Sequence, residues 1–313
     1  MDALLSPCRR RLLGAVGGLG TLALAGCGEH ARQPAADAPP LQFGGETMGT
    51  GYVVKIAGAA PGAARLEALR ADVQAALDGV DRGMSLYRPE SELMRFNRHP
   101  GSVPVPLSRE LYEVLAAGQQ VAGLSQGAFD VTVAPLVVSW GFGPLKRREV
   151  PAAGELQAKR AAVDYRSLRL DPRSRTAAKA HGGLQADLGG IAKGYGVDLA
   201  ARAIEAFGVE HYMIEVGGEL RTQGRNAAGQ PWQIGIEEPD ALPQRARRVV
   251  PLAGRAMATS GDYRIYFEQA GRRYSHEIDP RSAAPIAHGL ASVTVIAGDC
   301  MTADALATAL IVL

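Results

Sequence analysis

The chain has 313 residues, 47% hydrophobic and 21% charged, an ordinary globular composition long enough to bury a large core in one large domain or two small ones. A formal charge of +2, inflated by the arginines of MDALLSPCRRRLL, argues against wholesale nucleic-acid binding. Aromatics at 5% offer no base-stacking surface.

The first residues run from a basic cluster through an apolar stretch to small residues, the order of a secretory signal peptide, over 1–26. The ending Leu24-Ala25-Gly26-Cys27 resembles the bacterial lipobox, in which the cysteine is lipidated and becomes the new first residue. A plain signal peptide with an incidental cysteine is the alternative. Arg9-Arg10 leaves general and twin-arginine export both open. Residues 27–45 then read as lipidated Cys27 and a Pro/Ala tether, placing the folded part in the cell envelope, facing the periplasm. Cys300 is left alone in that part, so no internal disulfide is expected.

From Glu46 onward no low-complexity break demands a boundary, and one domain is predicted over 46–313. TMGTGYVVKIAG alternates as a first strand; Leu66, Leu69, Val73, Leu77 and Val80 fall at helical spacing. A second helix covers LYEVLAAGQQVAG. HGGLQADL reads as a strand end, and IAKGYGVDLAARAIEAFG as a helix with apolar positions at Ile191, Tyr195, Leu199 and Phe207. IEVGGEL, PWQIGIEE and RRVVPLAG look like strands, YRIYFEQAGRRYSHEID like a hairpin around Gly271, and ASVTVIAG like a strand before a helix starting near Thr302. Strands and helices mix without strict alternation, which favours an α+β fold.

The glycines of QADLGGIAKGYGVD would sit at a strand-to-helix turn, whose free N–H groups and helix dipole suit a phosphate. A Gly-rich connection with a solvated lysine is the other reading. Gly123-Leu-Ser-Gln-Gly127 matches a nucleophile elbow, but a helix precedes Ser125 and the β-branched run Phe129–Val133 follows, the reverse of the order that motif needs. Asp304 and Thr308 lie at i and i+4, one carboxylate and one hydroxyl pointing the same way, hard donors that suit Mg²⁺ beside phosphate and water; a helix-dipole partner and a threonine bonded to the preceding turn are the other reading. His276 adjoins a polar cluster with Asp279, with a structural strand histidine as the other reading.

MSLYRPESELMRFN, GAFDVTVAPLVVSWGFGP, DLGGIAKGYGVD, VGGELRTQGRN, PWQIGIEEP, ATSGDYR, SHEIDPRS and ADALATAL, in this order, resemble the successive motifs of the FAD:protein FMN transferases, the ApbE-like family, from about Met48 to the last residue. The resemblance implies an exported lipoprotein-type enzyme that binds FAD with Mg²⁺. It would attach the FMN half to a Ser or Thr of an acceptor flavoprotein and release AMP. FAD pyrophosphatase and a non-catalytic FAD-binding lipoprotein are the alternatives. Carried over residue by residue, it implies flavin contacts from Met48, Tyr87, Ala128, Phe129 and Asp130, nucleotide contacts from Asp187 and Lys193, and Ile278 lining the pocket. Metal ligands would be Asp304, Thr308 and carbonyls near Gly190 and Ala307, and His276 the general base. Two departures stand out. SHEIDPRSAAPI lacks the Thr-Gly usual after Asp-Pro-Arg, and the chain stops at LATALIVL where relatives continue, so an exposed sheet edge is expected near the metal helix.

Overall fold

A computed structural model of the chain describes residues 40–313 apart from 59–60, 145–146, 240–242 and 244. The expected signal peptide, Cys27 and most of the tether lie outside these residues. Strands β1 (Leu41–Thr47) and β2 (Thr50–Ile56) form a hairpin, Leu41 opposite Ile56 and Thr47 opposite Thr50. Its turn puts Met48 at φ 47° and Gly49 at φ 77°, the left-handed pair that a two-residue hairpin demands. TMGTGYVVKIAG is thus a turn and a return strand rather than one strand. Leu41–Gly45, expected as tether, pair with β2; β1 buries only Phe43 and Thr47, too few positions to signal a strand.

Helix α1 (Ala63–Met84) buries Leu69, Val73, Leu77, Val80 and Met84, the predicted stripe extended by one turn, while Leu66 at its start is only half-buried. After α2 (Glu92–Arg98) and the short β3 (Val105–Pro106) comes α3 (Arg109–Leu124). Ser91 Oγ accepts the Met94 N–H at 3.0 Å and Ser108 Oγ that of Leu111 at 3.1 Å, serine caps that satisfy first-turn donors of α2 and α3. The run Phe129–Val133 is not a strand: it turns directly into α4 (Ala134–Ser139), and only Val133 makes an isolated parallel bridge, to Gln185. Then follow α5 (Ala153–Arg160), β4 (Leu168–Asp171) and β5 (Thr176–Lys179).

Helix α6 (Ala192–Ala206) precedes β6 (Tyr212–Val216) and β7 (Glu219–Gln223), so IEVGGEL is a hairpin corner and not a strand. Gly217 and Gly218 both have positive φ there, at 60° and 111°. The chain continues through β8 (Trp232–Glu237), β9 (Ala246–Leu252), β10 (Ala256–Gly261), β11 (Tyr266–Gln269), β12 (Arg272–Ser275), β13 (Ile278–Asp279), β14 (Ala284–Pro285) and β15 (Ser292–Ala297). Helix α7 (Cys300–Val312) closes it.

The main sheet has the order β1-β2-β6-β7-β10-β15, every neighbouring pair antiparallel, which makes the fold α+β. One face packs on α1 and α6, with Val54 and Ile56 against Leu69, Val73, Val197, Ala200 and Ile204. The other packs on the β8–β9 hairpin through Leu220 and Met257 against Trp232, Ile234 and Leu252. Strand alternation therefore turns Glu219 and Arg221 toward α6 while Leu220 faces away. Helix α6 is apolar on more sides than the predicted stripe because it lies between two cores: Ile191 and Tyr195 belong to one, Val197, Ala201 and Ile204 to the other. Strand β15 ends the sheet, its residues mostly half-buried.

Candidate active site

Helix α6 begins without a side-chain cap at Ile191. The strand expected before it shrinks to the Gln185 bridge and one bond, Asp187 N–H to the Val131 carbonyl at 2.7 Å. Two of the N–H groups that the sequence offered to a phosphate are already taken: Gly189 donates to Asp187 Oδ1 at 2.7 Å and Gly194 to Asp304 Oδ2 at 2.9 Å. The turn thus holds two of the protein's own carboxylates, one of them on α7. Gly194 is required there, since a Cβ would stand 2.3 Å from the Cys300 carbonyl oxygen.

Lys193, in the first turn of α6, places Nζ 2.5 Å from Glu219 Oε1. Burial alone would lower the Lys193 ammonium, but Glu219 and Asp304 outweigh it and hold it above its usual range. Desolvation raises Asp304, with Lys193 and the Gly194 N–H pulling the other way. Asp304 and Thr308 do share one face of α7, and Thr308 Oγ1 lies 3.2 Å from Ser260 Oγ. A Cβ on Gly190 would come within 2.8 Å of Thr308 Oγ1, so the space before this hydroxyl exists because residue 190 has no side chain. Among the described residues no group of three His, Cys, Asp or Glu converges as a metal cluster. One carboxylate and one hydroxyl beside a glycine cradle are nevertheless a hard-oxygen set that fits Mg²⁺ completed by phosphate and water. Ala307 is buried on α7, one residue before Thr308.

His276 follows β12. Its Nδ1 lies 3.2 Å from the Ile265 carbonyl, which accepts a proton on that nitrogen and leaves Nε2 as the basic atom. Burial pushes the imidazole down to about 4, the Ile265 hydrogen bond opposing and Lys193 adding to the shift. Glu277 Oε1 stands 3.7 Å from Nε2. Burial raises this carboxyl to about 8. Asp279, the partner that the sequence suggested, instead caps a turn, accepting the Arg281 N–H at 2.9 Å and pairing with its guanidinium.

The Phe142 ring lies edge-on to His276 with centroids 6.3 Å apart, and the Phe142 carbonyl accepts from Tyr87 Oη at 2.9 Å. Desolvation and then the nearby charge of Asp187 raise the Tyr87 phenol although its ring is largely exposed, while Lys193 is felt electrostatically at both His276 and buried Asp304. Met48 is half-buried against α6, its Cε 3.0 Å from where a Cβ on Gly196 would be. Phe129 lies beside Gly190 and Thr308, 3.3 Å from the Cβ position of Gly190.

Ala128 and Ile278 are buried in apolar clusters, Ile278 beside Trp140 and Phe267. The Asp130 carboxylate is occupied by Thr132 and the Tyr165 N–H, and it lines a small pocket with Asp164 and Arg281 instead of facing Lys193. A surface groove of about 420 Å³ between Tyr112, Gln119 and Tyr165 also lies apart from the cluster. Sequence reading passed over Glu219, Glu277, Asn97 and Asp198. The signal for Glu219 was there: it is the acid of VGGEL, one residue past a Gly-Gly corner.

The sequence pattern of the ApbE family matches residues 48–313. The chain belongs to the ApbE family. It is 43% identical over 293 residues to the FAD:protein FMN transferase of Vibrio cholerae, covering 93% of this chain and 85% of that protein. The solved flavin transferase ApbE from Vibrio cholerae superposes with a TM-score of 0.79 at 44% identity, covering 88% of this chain and 87% of that one. The apo flavinyl transferase ApbE of Pseudomonas stutzeri does so at 0.78 and 43%, covering 87% and 84%. A histidine-to-glycine variant of the Vibrio cholerae enzyme has also been solved, with a TM-score of 0.80 at 44% identity and the same 88% and 87% coverage.

Proposed function

We propose that this ApbE-family chain transfers the FMN half of FAD to a Ser or Thr hydroxyl of an acceptor flavoprotein, releasing AMP, with Mg²⁺. The observation that carries this reading is His276, held by the Ile265 carbonyl so that Nε2 is its basic atom, with Glu277 Oε1 3.7 Å away and Lys193 within electrostatic reach. A hydroxyl is a poor nucleophile at neutral pH and needs a base. In the transfer the acceptor oxygen forms a bond to the FMN-side phosphorus, its proton passes to His276 Nε2, and the bond to the AMP oxygen breaks with its electron pair leaving on AMP. Lys193 offsets charge gathering on the pyrophosphate. Asp304, Thr308 and carbonyls near Gly190 and Ala307 would hold Mg²⁺, which when bound supplies Lewis-acid stabilisation of that charge. Met48, Tyr87 and Phe129 would contact the flavin and Asp187 the nucleotide.

The protein acts, in this reading, as a lipid-anchored enzyme of the cell envelope, because an apolar stretch ends in LAGC and a Pro/Ala tether follows. Cys27→Ser should release it from membranes; a variant that stays bound as the parent does, with no lipid on the parent, removes the anchor.

Mass spectrometry of an acceptor domain incubated with the protein, FAD and Mg²⁺ tests the function. Addition of FMN mass to one Ser or Thr supports transfer. FMN and AMP in solution with an unmodified acceptor indicate the pyrophosphatase, and unchanged FAD indicates a binding lipoprotein.

A further inference from the structure

Glu219 has no part in the chemistry above, yet its side chain is 3% exposed. Its Oε1 meets Lys193 Nζ at 2.5 Å, while Oε2 is closed to solvent with no hydrogen-bond partner. A buried carboxylate oxygen left unbonded is costly, so a feature of this kind needs a compensating role. The backbone beneath it is closely packed. Glu219 opens β7 directly after the Gly217-Gly218 corner, and a Cβ on Gly217 would stand 2.8 Å from Thr50 Cγ2. Arg221, the next residue on the same face, cannot neutralise it, because Arg221 is committed to Asp198 at 2.8 Å. Among the described residues, Lys193 is the cation that Glu219 pairs with.

The dependence is mutual. A lysine ammonium is a point charge on a four-carbon stem and does not aim itself. Helix α6 sets only where that stem starts.

We propose that Glu219 is the positioning residue for Lys193, holding the ammonium at one place so that it meets the pyrophosphate without first being ordered. The proposal rests on the transferase reading for what Lys193 does, but the pairing itself is measurable without turnover. It assigns Glu219 no contact with FAD or acceptor. Charge and reach both matter: Glu219→Gln keeps the shape and loses the charge, Glu219→Asp keeps the charge and shortens the arm.

The test has two arms on the whole protein, with the folded fraction of each variant fixed by circular dichroism. In the first, an amine-reactive acylating reagent is applied and Lys193 is followed by peptide mass spectrometry. Protection in the parent and its loss in Glu219→Gln is expected; equal labelling overturns the proposal, whatever reaction the protein catalyses. In the second, Glu219→Gln should lower kcat about 10- to 100-fold with KM for FAD little changed, the range for partners that orient a functional group, and Glu219→Asp should recover part of it. In a Lys193→Ala background Glu219→Gln should cost nothing further. The same loss in that background, or a loss that tracks the unfolded fraction alone, overturns the proposal. A parent that only hydrolyses or binds FAD defeats the transferase reading and leaves the labelling arm to decide this one.

Discussion

The carboxylate of Asp198, midway along α6, caps α7: its Oδ2 accepts the Cys300 N–H at 2.9 Å. The same oxygen takes the Met301 N–H at 2.9 Å, and Oδ1 pairs with Arg221 at 2.8 Å. One buried acid thus joins the helix that carries Lys193, the helix that carries Asp304 and Thr308, and the strand that carries Glu219. Removing one partner of a buried pair leaves the other uncompensated. Asp198→Ala is expected to cost on the order of 3 kcal/mol in urea unfolding, and folded variant should need more Mg²⁺ for half-maximal activity. An unchanged unfolding midpoint would show that α7 is held by its apolar packing alone.

Asn97 at the end of α2 grips Ala186 at both backbone groups, accepting its N–H at 2.7 Å and donating to its carbonyl at 2.8 Å. This two-point clamp stands in for a strand where none exists and sets the next residue, Asp187. Asn97→Ala should destabilise by about 1–3 kcal/mol, the cost of buried groups left unpaired, and raise KM for FAD more than it lowers kcat. Calorimetry and steady-state kinetics on the one variant check both halves.

Asp304 carries a desolvation penalty that a bound cation would relieve. Asp304→Asn keeps an acceptor for the Gly194 N–H and drops the charge. The variant without metal should melt at or above the parent temperature, transfer should be lost, and Mg²⁺ with FAD should no longer raise its melting point. Scanning fluorimetry with and without Mg²⁺ reads this, and a retained Mg²⁺ response would remove Asp304 from the metal site.

His276 must be neutral to accept a proton, and its pKa is lowered to about 4. The acid limb of kcat/KM should accordingly fall near pH 4 rather than in the ordinary histidine range around 6.5. A midpoint at about 6.5 would show that the working imidazole is solvated.

Glu277 works in the opposite sense. Its folded pKa of about 8 exceeds the ordinary 4.5, so the folded state holds its proton more tightly. That contribution is full below pH 4.5 and is lost as pH rises through about 8. Glu277→Gln cannot ionise, so its melting point should gain on the parent as pH rises through this window; a constant difference from pH 5 to 9 would contradict the shift.

Local pattern was enough for the long elements and for the residues of ordered motifs. The stripe of α1, the hairpin around Gly271, the i and i+4 pair Asp304 and Thr308, and Lys193 in its glycine loop all depend on neighbours a few residues away, within reach of helical and strand periodicity. β1 escaped because it buries too little, and IEVGGEL was read as one strand because a two-residue glycine corner interrupts the apolar run without shifting its character. What only the tertiary structure decided are the contacts that make a site of these parts: Lys193 with Glu219, Asp198 with Cys300, Asn97 with Ala186, the last two spanning 102 and 89 residues. No periodicity encodes them: strand order brings Glu219 of β7 beside α6, the close approach of α6 to α7 at Gly194 brings Asp198 to Cys300, and the end of α2 meets the segment before α6 at Asn97 and Ala186.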